Sequence, residues 1–203
     1  MGEPIKKWTP RDILNAELPP HYPACPSDWS DVHPDSITPL SEVYENICDD
    51  DVALFNQIRR PKGAWLISVS SDLTHKIITA SNKFVTDMGY NDGELIGHNC
   101  KKLQNGVMQK DGEWNSIENK KLTDAFKTSS DVNVRLLNFK GDGRPFGNSL
   151  TILVLRDKDG SPLYHLGVIK VVAPPVSPSL SSDGNKRSTS SSEESTAKKP
   201  KKK

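Results

Sequence analysis

Among the 203 residues the group best suited to chemistry is the thiol of Cys100. It sits in Gly97-His98-Asn99-Cys100-Lys101-Lys102-Leu103-Gln104, between a short amide and a lysine pair, with a second amide four residues on. The commonest role of a lone cysteine is that of a small buried hydrophobe; as a thiolate it is a nucleophile. Two more amides, Asn138 and Asn148, fall where the flanking residues alternate like paired strands. Three separated amides and a thiol can line one polar pocket. Cys25, Cys48 and Cys100 are odd in number, with no CxxC pair and no His at ligand spacing, so neither a disulfide framework nor a structural zinc is expected. No Ser-His-Asp arrangement, paired acids in a Gly-rich site or P-loop points to an enzyme.

These residues need a scaffold, and the periodicity supplies one. Residues 1–39 read as a Pro-rich extended arm with Trp8 and Trp29, poorly ordered or folded back on the domain. Thr38-Pro39 predicts a helix start, with Thr38 at the cap and Pro39 at the first helical position. Val43, Ile47, Leu54 and Ile58 fall at helical spacing, interrupted by Asp49-Asp50-Asp51, which predicts one or two amphipathic helices over 40–62 that cover the following sheet or dock a second chain. From Gly63 the runs 64–69 and 76–79 read as a hairpin. Ser81 caps a short helix carrying Phe84 and Met88, ended by Gly89. Several short turns follow through Cys100, then a loop from Gln104 to Gly112, and a helix from Trp114 to Lys127 with Leu122, Ala125 and Phe126 inward.

After that the period turns to two. Val132, Val134, Leu136 and Asn138 share a face, as do Phe146, Asn148, Leu150, Ile152 and Val154, and a last strand runs from about Leu163 to Val172. The order predicts an α+β fold, a five-stranded antiparallel sheet with short helices on one face, over 63–173. Residues 174–203 read as a Ser- and Pro-rich basic tail that does not pack.

The hydrophobic fraction of 34% suits a compact domain diluted by polar ends. Formal net charge is +1, but the segment from Pro174 holds seven Lys/Arg against three Asp/Glu, so the remainder is net −3 and no polyanion binder. Direct nucleic-acid binding is therefore not expected. With no long apolar run and no signal pattern, no membrane partner is expected and the location reads as cytoplasmic or nuclear. The terminal Lys198-Lys199-Pro200-Lys201-Lys202-Lys203 reads either as an import signal or as a solvated end.

Ala80-Ser81, Phe84, Tyr90, Glu94-Leu95-Ile96-Gly97 and Asn99-Cys100-Lys101-Lys102-Leu103-Gln104 together resemble the flavin-binding LOV subclass of PAS domains, whose signature reads NCRFLQ. The likeness continues through Leu137-Asn138-Phe139, Asp142-Gly143-Arg144-Pro145-Phe146, Asn148 and Leu166-Gly167-Val168. A short chain with an N-terminal cap is similar to the small fungal blue-light receptors of the Vivid and Envoy type. The resemblance implies a photoreceptor in which Cys100 adds reversibly to the flavin C4a carbon after blue light, while an intermediate thiol pKa keeps it unreacted in the dark. It also implies that Asn138 and Asn148 bond the pyrimidine edge, that Asn99 and Gln104 hold the ring and the Cys100 turn, and that Leu150 and Ile152 form apolar walls.

Departures carry information too. Lys101 stands where the family has a phosphate-holding Arg, and Lys120 or Lys121 is the candidate for a second phosphate contact. Ile169 replaces the Gln whose amide reports N5 protonation, and His165 replaces a Phe, placing a polar group on the flavin side or else facing solvent near the sheet edge. The segment between Gln104 and Trp114 is of intermediate length for the family, and FAD is favoured over FMN. The expected output is changed cap docking or protein contact, with a homodimer or a transcription regulator bearing its own PAS domain as partner. The flavin reading includes a redox sensor beside the light sensor, and the alternative is a PAS interaction module without flavin.

Overall fold

The computed structural model describes residues 9–11, 29–59, 63–71, 74–91, 93–104 and 112–174. The expected loop after Gln104 up to residue 111, the basic tail from 175, Trp8 and Cys25 lie outside the described residues.

Alternating apolar residues build the sheet. Strands β1 (Ala64–Val69), β2 (Ile77–Ala80), β3 (Val132–Phe139), β4 (Pro145–Arg156) and β5 (Pro162–Val172) form one antiparallel sheet in the order β2-β1-β5-β4-β3. Because successive side chains point to opposite faces, the register sorts the core into two layers. The inner face carries Ala64, Leu66, Ile77, Val134, Leu136, Phe146, Leu150, Ile152 and Ile169 against Phe84, Val85, Met88 and Leu103. The outer face carries Trp65, Ile67, Leu153, Leu155, Tyr164 and Leu166.

Helices α1 (Leu40–Asn46) and α2 (Asp49–Arg59) pack on the outer face through Leu40, Val43, Ile47, Leu54, Phe55 and Ile58, with Phe55 edge-on to Trp65 at 5.1 Å. The cap therefore covers the sheet. The three aspartates that break the apolar pattern form the first turn of α2, where negative charge meets the positive end of the helix dipole. Helix α1 corrects one expectation. Pro39 is its N-cap, so the helix begins one residue later than expected, and Thr38 makes no cap; its carbonyl instead accepts from the Thr79 hydroxyl.

The described part of the arm folds back. Residues 31–38 run beside β2, with His33 N–H donating to the Ala80 carbonyl at 2.9 Å and Ile37 N–H to Ile78 at 2.7 Å, which occupies an edge that would otherwise present unpaired groups. Arg59, itself buried, pairs with Asp31 at 2.5 Å beneath Trp29.

Helix α3 (Asn82–Met88) is short and strongly delimited. Ser81 Oγ accepts from Phe84 N–H at 3.1 Å, and Gly89 closes the helix at φ 65°, which an L side chain rarely adopts. A 3-10 turn follows at Cys100–Gln104, then α4 (Gly112–Thr128). Gln104 thus ends a helical turn rather than opening a loop. No helix among the described residues is long and apolar enough to cross a membrane.

Candidate functional site

The inner face, the 3-10 turn and α4 enclose the site. Asn99 begins the turn: its Oδ1 accepts from Lys101 N–H at 2.8 Å and its Nδ2 donates to the Thr74 carbonyl, which ties Cys100 to the β1–β2 connection. Cys100 packs against the inner layer with Tyr90, Leu122, Phe126 and Val132. Part of the residue meets solvent, yet its thiol is surrounded by protein, and burial pushes the thiol up to about 12, offset only in part by a backbone hydrogen bond. The expected intermediate thiol is therefore corrected. Cys100 is a neutral S–H at every physiological pH, because no cation compensates a thiolate there.

Asn138 and Asn148 come together as expected. Asn138 pairs in register with Phe146, and Asn148 with Leu136 and Val171, so both side chains point to the inner face. Both are buried, and the Oδ1 of each lacks a hydrogen-bond partner. A buried acceptor left unsatisfied costs about 1–3 kcal/mol, and folded proteins seldom keep one without a use. Leu150, Ile152 and Ile169 lie beside them in the same layer, Leu150 opposite Ile169. Two orphaned carboxamides at one end of an apolar face, with a thiol on the opposing wall, match a flat heterocycle that has a hydrogen-bonding edge. The unpartnered carboxamide acceptors, with the amide N–H groups beside them, fit the imide edge of a flavin.

Ile169 is buried and offers no hydrogen bond. Lys101 is exposed on the 3-10 turn, Lys120 is exposed and paired with Asp124 at 3.0 Å, and Lys121 pairs with Glu118. The structure leaves these cations on the surface and brings none of them to the buried amides.

His165 settles between its two expected settings. It is 3% exposed, on the inner face, between the rings of Phe126 at 4.7 Å and His75 at 5.5 Å, so the solvent-facing alternative is corrected. Burial, with a contribution from His75, holds its imidazole down to about 4, and both ring nitrogens lack a hydrogen-bond partner. It lies six residues along β5 from Val171, the register partner of Asn148, or roughly 20 Å from the amide pair at about 3.3 Å per residue.

Gln104 makes contacts that its position in sequence does not disclose. Its Oε1 accepts from Asn119 Nδ2 at 3.0 Å and from Asn115 Nδ2 at 3.2 Å, while its Nε2 donates to Asn119 Oδ1 at 3.3 Å. Asn115 and Asn119 were missed by sequence reasoning, which followed only the apolar stripe of α4. Their i, i+4 spacing, which places two amides on one helix face, was the available signal.

A model of the PAS domain matches residues 62–170, more than half of the chain. Phototropin-2 of Oryza sativa subsp. japonica is 37% identical over 103 residues, covering 49% of this chain and 11% of that protein. The chain thus spans about a tenth of the length of the phototropins it matches. A solved light-oxygen-voltage domain, described with a flavin analogue, is 32% identical with a TM-score of 0.52 and covers 61% of this chain and 87% of its own. The photo-excited blue-light photoreceptor Vivid is 28% identical, TM-score 0.48, covering 53% and 77%. With the PAS-domain match over 62–170 and the 32% identity to the light-oxygen-voltage domain, on a sheet ordered β2-β1-β5-β4-β3, the chain belongs to the PAS domain family and is of its LOV type.

Proposed function

We propose that the chain is a flavin-binding blue-light sensor that signals by changed cap docking or protein contact. The observation that carries this reading is the pair of buried carboxamide oxygens of Asn138 and Asn148, partnerless on the same inner face that Cys100 packs against. A bound flavin would supply blue-light absorption and an electrophilic carbon, C4a; Cys100 would present the attacking sulfur and its thiol proton to that ring.

The chain's own residues do the rest. Asn138 and Asn148 orient the pyrimidine edge; Leu150, Ile152 and Ile169 exclude water; Asn99 and Gln104 fix the turn that carries the thiol. A thiol held up to about 12 stays protonated and inert in the dark, so reaction waits on excitation rather than on pH. Lys101 and Lys120 are the proposed phosphate contacts, reached at the surface, with FAD as the flavin.

The output follows from the outer face. Helices α1 and α2 bury an apolar stripe on the side of β1, β4 and β5 opposite the site, so a shift of these strands alters cap docking and the surface offered to a second copy or to a PAS-bearing regulator. Ile169 favours one competing reading, a PAS interaction module without photochemistry, because it removes the switchable hydrogen bond of the last strand.

One experiment separates them. Dark-purified protein is examined by absorbance before and after blue light, with Cys100→Ala as control and mass analysis of the released chromophore. A flavin band that bleaches and recovers in wild type alone supports the sensor. A colourless protein, even after expression with excess flavin, leaves the interaction module.

A further inference from the structure

We propose that Asn115, with Asn119, is a positioning residue for Cys100, clamping the 3-10 turn that carries the thiol onto the backbone of β3 beside Asn138. The inference rests on the reading of Cys100 as the reacting thiol and adds two residues to its setting.

The geometry is that of a peptide group replaced by a side chain. Strand β3 is the last strand of the sheet, so one of its edges has no strand partner. There Leu137 N–H donates to Asn115 Oδ1 at 2.8 Å, and Asn115 Nδ2 donates back to the Leu137 carbonyl at 2.9 Å. One carboxamide thus completes both backbone groups of Leu137, as a neighbouring strand would. Glu118 continues the edge by accepting from Arg135 N–H at 3.0 Å.

The same Asn115 Nδ2 also donates to Gln104 Oε1, and Asn119 holds Gln104 through both of its amide atoms. Gln104 is the last residue of the turn that Cys100 opens. Leu137 is followed by Asn138, whose Oδ1 is one of the two orphaned oxygens. The thiol-bearing turn and the amide-bearing strand are therefore coupled through one carboxamide that is 3% exposed. Such buried networks hold geometry when every member is satisfied and release it when one is removed. The side-chain hydrogen bonds of Asn115 and Asn119 go to Gln104 and Leu137 and not to Cys100, so both act by position.

The test reads the turn directly and needs no light. The full chain, without added flavin, is labelled under native conditions with N-ethylmaleimide, and modification of Cys100 and Cys48 is followed by peptide mass analysis. Cys48, half-buried at the junction between α1 and α2, reports opening of the cap. In Asn115→Leu and Asn119→Leu, Cys100 is expected to label about tenfold faster while Cys48 stays within about twofold of wild type. Asn115→Asp, which keeps the acceptor for Leu137 N–H but loses the donor to Gln104, gives the same direction should Asn115→Leu not fold. Unchanged Cys100 labelling, or equal acceleration at both cysteines, overturns the proposal. In flavin-loaded protein the same variants should change the dark recovery rate by about fivefold. A wild type that never bleaches counts against the proposed function, whereas the labelling result still decides the role of Asn115.

Discussion

The Arg11 guanidinium meets the Asp51 carboxylate at 2.6 Å, and that carboxylate is 2% exposed. Its other oxygen accepts from Arg156 N–H at 2.7 Å, while Arg11 also donates to Asp131 at 3.1 Å and to the Val154 carbonyl at 3.0 Å. The arm, α2, the start of β3 and the end of β4 are joined at one point. Removing Arg11 leaves a buried negative charge without its cation. Arg11→Ala should lower stability by about 2–3 kcal/mol, measured by urea unfolding, with faster hydrogen exchange in α2. An unchanged midpoint would mean that the pair only breaks even.

Ser81 serves two elements with one oxygen. It caps α3 and accepts from Trp65 N–H at 3.1 Å within the core. Ser81→Ala should cost about 2 kcal/mol, more than an exposed cap, because the Trp65 donor is left buried. Thermal and chemical denaturation of the variant check this.

His165 makes stability depend on pH. Its folded pKa, about 4, lies below the ordinary 6.5, so the unfolded chain binds the proton first. Stability is then full above 6.5 and falls as pH drops from there towards 4, by up to about 3 kcal/mol. His165→Phe should flatten that slope; parallel wild-type and variant curves would assign the acid sensitivity elsewhere.

Cys100 works at the other end of the scale. Its pKa is raised from 9.0 to about 12, so the stability it confers is full below pH 9 and is lost as pH rises towards 12. The dark labelling rate at Cys100 should accordingly keep climbing through pH 10 without a plateau. A plateau near pH 9 would show an ordinary exposed thiol.

Asn148 should trade stability against binding. With its Oδ1 orphaned, Asn148→Leu is expected to stabilise the flavin-free protein by about 1 kcal/mol while reducing retained flavin severalfold. Melting of the flavin-free forms and chromophore content on purification are the two readings. A variant that loses stability and keeps its flavin would remove Asn148 from the site.

What was legible in the sequence was what obeys local rules. Ser81 and Gly89 bracket α3 because capping needs only neighbours. Asn138 and Asn148 were placed on the inner face because parity along a strand is set by counting. The five strands and the cap followed from the same periodicities. What stayed hidden depends on residues far apart along the chain. Arg11 and Asp51 are forty positions apart, and Asn115 recognises a backbone group that every residue carries. The thiol pKa of Cys100 is decided by what packs over it, and the Thr38 carbonyl is held by Thr79, forty-one positions on.

The sheet has a different core on each side, and this bears on Ile169. Leu166, fully buried under the cap, and Gly167, on the inner face, are joined by a single peptide plane. Gly167 has no side chain to absorb a push: a Cβ there would stand 3.2 Å from Leu66 and 3.5 Å from Ile152. The wall between the two chambers is one backbone thick, and close packing makes it stiff. Inner and outer packing meet at the Leu166–Gly167 peptide, so the proposed cap output has a route past Ile169 that needs no relay of hydrogen bonds.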